Sequence, residues 1–206
     1  MKKFALLAIT MLMATSSQAI SFKWSSNGKV SFGGTEVASL TPNTYTATLI
    51  YLGTGSWGTT TITETGLTLD SSTKTTADTL TSIQGKTGTI GARSNSTFSG
   101  TFSHALGETT GAYTVAAGDI FSVMLSYTDS AGQTWYNLSA DTYTIDSSAT
   151  DISTLDAATF SFTDSKNEVA SGSSVSSGGW YAAVPEPSTA MLALAGLALL
   201  IKRRRA

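Results

Sequence analysis

Cysteine is absent from this 206-residue chain, and histidine occurs once, at His104. The first absence excludes a disulfide framework, a thiolate metal site and a Cys nucleophile. The second excludes every mechanism that needs two imidazoles. Charge is scarce too: 13% of residues are Asp, Glu, Lys or Arg, against roughly 25% in an average soluble domain. Ser and Thr fill the space, with 30 and 35 residues respectively. A chain of this make-up has little material for acid–base or metal chemistry, and no cofactor or metal is expected.

The two ends differ in character from the middle. Met1-Lys2-Lys3 is followed by a mostly apolar stretch from Phe4 to Ala14 and then by Thr15-Ser16-Ser17-Gln18-Ala19. A short basic region, an apolar core and small residues at minus three (Ser17) and minus one (Ala19) make a secretory signal peptide over residues 1–19. Cleavage is expected after Ala19, with the Sec translocon as the export partner. At the other end, Pro185-Glu186-Pro187-Ser188 precedes an apolar run from Thr189 to Ile201, closed by Lys202, Arg203, Arg204 and Arg205. Two prolines so close together cannot lie inside a helix, so a membrane helix is expected from about residue 188 to 201, with Ser188 as N-cap. Thirteen helical residues rise about 20 Å, short of a hydrocarbon core of about 30 Å. The long basic side chains that follow can reach the headgroups and extend the span, and clustered Arg favours the cytoplasmic side. The two ends agree on one topology, with the body outside.

The residues from Val184 to Ala206 resemble the PEP-CTERM sorting signal: a Pro-Glu-Pro motif, a short membrane helix with an internal glycine (Gly196), and an Arg-rich terminus. The resemblance extends to no other part of the chain, and the sorting tail is residues 185–206. It implies an exported protein of a Gram-negative bacterium, held in the inner membrane until an exosortase-type enzyme cuts near Pro185-Glu186-Pro187 and passes the body to the cell surface. It implies a route and says nothing of what the body does.

Between the ends, Ile20 to Val184 carries 6 basic and 13 acidic residues, a net charge of −7. Such a body lacks the basic footprint needed against phosphates, so nucleic acid is not expected as a partner. The body reads as one β-rich domain, residues 20–184. Tyr45, Ala47, Leu49 and Tyr51 alternate with Thr46 and Thr48; Phe121, Val123, Leu125 and Tyr127 alternate with Ser122, Met124 and Ser126; Phe160 and Phe162 repeat the pattern. Period-two alternation with Thr on the second face predicts half-buried strands. The run Thr128–Gln133 is turn chemistry and predicts a hairpin of about 120–127 with 134–138. An antiparallel β-sandwich follows as the fold class, with jelly-roll and Ig-like topologies both open. Ala77, Leu80 and Ile83 before Gly85 allow one short helical turn, and the Gly/Ser stretch 170–179 is expected to be a flexible loop or stalk.

Motifs with chemical meaning are few. Gly53-Thr54-Gly55-Ser56-Trp57-Gly58 fits G-x-G-x-x-G, but the β-branched Thr59–Thr63 that follows predicts strand where a dinucleotide site needs a helix, so a Gly-rich hairpin loop is expected. His104 lacks the G-x-S-x-G elbow of a hydrolase. Asp141, Asp146, Asp151 and Asp156 recur every five residues, an odd spacing that alternates faces in a strand, and the calcium-loop pattern is missing. Glu36, Glu64, Glu108 and Glu168 are candidates for a glycosidase pair only if the fold brings two together. Trp57 in its Gly-rich loop is either a plug over the sheet edge or a platform for a sugar ring. Asn95-Ser96-Thr97 and Asn137-Leu138-Ser139 match the N-glycosylation acceptor. The expectation is a non-enzymatic surface protein, structural or adhesive in the matrix, with exopolysaccharide or another glycan as a possible partner. A carbohydrate-binding module using Trp57 is the alternative, and a small glycoside-acting enzyme a lesser one.

Overall fold

The computed structural model describes residues 19–41, 45–82, 96–146 and 156–184. The signal sequence through residue 18, the sorting motif and the membrane anchor lie outside the described residues, as do Ile83, Gly85, Asn95 and Asp151. The chain opens with β1 (Ala19–Ser26), β2 (Ser31–Phe32) and β3 (Thr35–Glu36), then a 3-10 turn at Val37–Ser39. Next come β4 (Tyr45–Leu52), β5 (Thr60–Thr63), β6 (Gly66–Thr68) and the long β7 (Thr73–Ser82). The middle supplies β8 (Ser99–Ala105), β9 (Thr109–Thr110), β10 (Tyr113–Thr114), β11 (Ile120–Thr128), β12 (Thr134–Leu138) and β13 (Tyr143–Thr144). The last four are β14 (Asp156–Phe160), β15 (Lys166–Ala170), β16 (Ser173–Val175) and β17 (Trp180–Val184). The all-β expectation holds for the described residues.

A seven-stranded sheet runs β15-β17-β12-β11-β4-β7, with β13 also pairing to β11. The predicted hairpin is present, with Thr128 opposite Thr134 and Met124 opposite Leu138. Alternation along these strands sends side chains to two faces. Leu49, Phe121, Val123, Leu125, Trp135 and Ala182 point to one, where they meet Phe22 and Trp24 of β1, Phe102 of β8 and Phe160 of β14. Three phenylalanine rings meet at the centre, Phe22 stacked on Phe102 at 4.9 Å and Phe102 tilted against Phe121 at 5.1 Å between centroids. Those strands form a three-stranded sheet, β14-β1-β8.

The opposite face is not uniformly wet. Ile50, Leu52, Leu138 and Ala183 point there and are buried against Trp57, Ile62 of β5 and Val175 of β16. A small sheet, β16-β5-β6, covers them. The expectation of threonine as surface residue is therefore corrected at several positions. Thr48, Thr60, Thr73 and Thr76 are buried, and the last three donate their hydroxyls to the carbonyls of Trp57, Asp70 and Leu49 at 2.8 Å. A buried hydroxyl without such a partner would cost free energy; with one, a β-branched Thr suits a strand covered on both faces.

Three further expectations change. Ala77 and Leu80 lie in β7, not in a helical turn, because the surrounding threonines extend the chain to pair with β4, Ala47 opposite Leu80. The pairing is not antiparallel throughout: β1 and β14 run parallel, as do β15 and β17. Parallel neighbours cannot be joined by a tight turn, so the chain must cross over between them. It does so through Ser171–Gly179, which is no loose loop: Ser173–Val175 pairs with β5 as β16 on the way.

The crossover delivers Trp180 to the centre of the molecule. Its ring is fully buried, edge-on to Phe32 at 5.5 Å and to Tyr127 at 6.2 Å, and its indole N–H donates to the Ser31 carbonyl at 2.7 Å. Trp180→Ala removes these contacts and takes the indole donor from the part-buried Ser31 carbonyl. Chemical denaturation should show a loss of about 3–5 kcal/mol. A loss under about 1 kcal/mol would mean that the strand is not part of the cooperative core.

Candidate functional site

The Gly-rich loop Gly53–Gly58 leaves β4 and enters β5, so it links two sheets and is not the hairpin loop that its composition suggested. Trp57 is 7% exposed, packs in the second apolar cluster and donates its indole N–H to the Ser139 carbonyl at 2.7 Å. The ring borders a concavity of about 380 Å³ together with Ser56, Ala140, Thr142 and Ser176, but too little of it is exposed for a sugar to stack on, and the platform reading of Trp57 falls. The strand that follows gives the phosphates of a dinucleotide no helix N-terminus. Gly58 has φ +59°, and a Cβ there would stand 2.5 Å from the Asp70 carboxyl carbon. Asp70 needs that closeness, since it accepts the N–H of Thr59 at 2.9 Å together with the N–H and hydroxyl of Ser72 at 2.9 and 2.7 Å. These donors, Ser72 first, hold its carboxyl below the usual carboxylate range.

The other acidic groups do similar work. Asp129 accepts the N–H groups of Ala131 and Gln133 in the β11–β12 turn and the indole N–H of Trp135 at 3.0 Å. Partial burial opposes its ionisation, but these donors outweigh it and its pKa is lowered. Asp141 accepts the Ser161 N–H at 2.6 Å. Glu108 accepts the Ala105 N–H at 2.7 Å and lies 3.1 Å from Nδ1 of His104. The imidazole contact first, then the backbone donor, lowers the Glu108 pKa. Asp119 accepts the Ala116 N–H at 2.6 Å, yet burial dominates there and raises its pKa.

His104 is thereby accounted for: it packs edge-on against Phe102 at 4.5 Å and faces a carboxylate across a turn. Glu36 pairs with Lys29 at 2.7 Å, and Glu168 lies on the edge strand β15. Asp141 and Asp146 lie on opposite sides of β13, and Asp156 opens β14. Among the described residues no three of His, Asp or Glu gather closely enough to hold a metal ion. Asn137 is fully buried and donates to the Thr163 carbonyl at 2.7 Å, so the folded body does not present it as a glycan acceptor.

A larger concave feature lies on the second face of the large sheet, and no linear motif announces it. Where the small sheet ends, the second face of the large sheet is open, and a groove of about 450 Å³ runs across it. Thr134 and Tyr136 of β12 and Ala183 of β17 form its floor. The β5–β6 turn, Thr63 to Gly66, makes one wall and the β11–β12 turn, Ala131 to Gln133, the other. Gln133 is fixed there by its amide N–H to the Ala183 carbonyl at 3.0 Å. Gly66 has φ +142°, and a Cβ at that position would lie 3.3 Å from the Tyr136 hydroxyl, so glycine keeps the wall clear of the ring. Strand parity alone places Tyr136 opposite Trp135, but only the small sheet's short reach exposes it.

Residues 183–206 match the family model of the PEP-CTERM protein-sorting motif. No curated protein and no solved structure matches the chain. The tail thus carries a sorting motif that marks an exported protein, anchored in a membrane and then processed, with an exosortase-type enzyme as the partner that recognises it. Among the described residues no helix is long and apolar enough to cross a membrane. The match begins within β17, which ends at Val184.

The carboxylates give the body a defined pH response. Asp70, Asp129 and Glu108 have lowered folded pKa values. Their contribution is complete above the unfolded values near 4 and is lost as pH falls through the folded ones. Asp119, raised, has the opposite sign: its preference for the folded state holds at acid pH and is lost as pH rises through its folded value. Thermal melts at pH 3 and pH 7 should therefore show Asp70→Asn destabilising chiefly at pH 7. Asp119→Asn, which keeps an acceptor, should be neutral at pH 3 and neutral or stabilising at pH 7. Equal losses for both variants at both pH values would contradict these assignments.

Proposed function

We propose that the body is a non-enzymatic β-sandwich displayed at the cell surface, where it serves a structural or adhesive role in the extracellular matrix. The observation that carries this reading is the use made of the scarce charge. Asp70, Asp119, Asp129 and Glu108 each accept a backbone N–H that fixes a turn, and Asp141 accepts the Ser161 N–H and so ties two separate segments together. Carboxylates committed to turns stiffen the connections between strands, which is what a display module needs. A catalytic pair would instead face each other across a cleft.

The route follows from the two ends of the sequence. The signal peptide directs the chain to the Sec translocon, and cleavage after Ala19 leaves Ile20 as the first residue. The helix from Thr189 to Ile201, with Lys202–Arg205 on the cytoplasmic side, holds the body at the outer face of the inner membrane. The exosortase-type enzyme then cuts near Pro185-Glu186-Pro187. Val184 ends β17 and Ala182 is fully buried, which supports a processing point immediately beside the folded body, with no stalk between.

Replacing Pro185, Glu186 and Pro187 together by alanine should leave the full-length protein in the inner-membrane fraction at its unprocessed mass. Fractionation that recovered normal amounts of shortened protein from the surface would overturn this route.

A further inference from the structure

The groove beside the β5–β6 turn combines an aromatic floor with polar walls. Its floor carries the half-buried ring of Tyr136, and its walls carry the hydroxyls of Thr63 and Thr65, the Gln133 amide and the Glu64 carboxylate. The volume of about 450 Å³ falls within the roughly 300–1,000 Å³ range of ligand sites. Since the Gln133 N–H is committed to Ala183, its amide oxygen remains as an acceptor. The groove is open to solvent along the sheet face, between two turns and not inside a closed cavity.

The geometry points to this groove as a binding site for an uncharged polysaccharide, with Tyr136 as the platform for one sugar ring. A pyranose has an apolar face that suits an aromatic ring and a rim of hydroxyls that both donate and accept. The Thr63 hydroxyl donates to the Gly66 carbonyl at 3.1 Å and lies 3.0 Å from that of Thr65, so the two Thr oxygens and the Gln133 oxygen meet that rim as acceptors. An open groove suits a segment of a long chain, whose neighbouring sugars run on past the walls. Among the described residues no basic side chain lines the groove, and the body carries a net charge of −7, so an acidic polymer is repelled and the ligand is a neutral one. The inference rests on the adhesive reading of the body and gives it a surface and a ligand class.

Affinity electrophoresis of the full-length protein in mild detergent tests it, with a neutral β-glucan and a galactomannan as probes and alginate as the acidic comparator. The wild type should be retarded by at least one neutral polymer and not by alginate. Tyr136→Ala should bind about tenfold more weakly, the equivalent of a single lost stacking contact. Tyr136→Phe should keep most of the affinity. Thr65→Trp, at an exposed turn, should block the groove without touching the core, so that lost binding can be separated from lost folding. Retardation of the wild type with Tyr136→Ala and Thr65→Trp unchanged would overturn the groove and leave an adhesive body standing. Failure of every neutral polymer, or preference for alginate, would overturn the ligand class, while the fractionation of the Pro185-Glu186-Pro187 variant judges surface display separately.

Discussion

The structure depends on the last strand closing the sheet. Trp180 bonds to the Ser31 carbonyl, 149 residues earlier in the chain, and lies in the same aromatic group as Phe32, Tyr127 and Trp135. Its strand, β17, is not at an edge: it separates β15 from β12 in the large sheet. Until it is in place, two strand edges are unpaired and the aromatic core is open. Contacts of such sequence separation form late and slowly, and unpaired edges invite association with other chains. The body therefore becomes a finished domain only with the residues immediately before the sorting motif.

The same aromatic group shows how a chain poor in charge places the charge that it has. Lys166 lies over the rings of Phe32 and Trp135, at 4.4 and 4.8 Å from their centroids, while Asp129 accepts the Trp135 indole N–H. Gly33 makes room for the Lys166 stem, since a Cβ at its φ of +60° would come within 2.8 Å of it. A cation over two ring faces gains attraction from both, it also acts on the Asp129 carboxylate, and it fixes the edge strand β15 to the core. Asp70, Asp119, Asp129 and Glu108 spend their charge on turns.

How much of this was legible depended on how local the cause is. The β11–β12 hairpin was readable because alternation and turn residues lie within one continuous stretch. The sorting motif was readable because it is linear and sits in a fixed order at one end. The role of Trp57 was open, since a Gly-rich loop serves a plug or a platform equally well, and only burial by Ile62 and Val175 decides it. The Gly/Ser stretch before Trp180 misled for the opposite reason. Composition alone suggested flexibility, whereas the parallel pairing of β15 with β17 requires a crossover that β16 anchors to β5. The groove at Tyr136 was out of reach, because it exists only where a small sheet stops short of a large one.

The folded body extends to Val184, and Pro185 of the sorting motif follows it directly in the chain. Native-state hydrogen exchange read on a peptide spanning Gly179 to Val184 tests it most directly. The amides of Trp180 to Ala183 should exchange among the slowest in the protein, with rates close to those of β11, since core strands open only with global unfolding. Exchange within seconds in that peptide, with β11 still protected, would place the end of the domain before β17 and contradict the account.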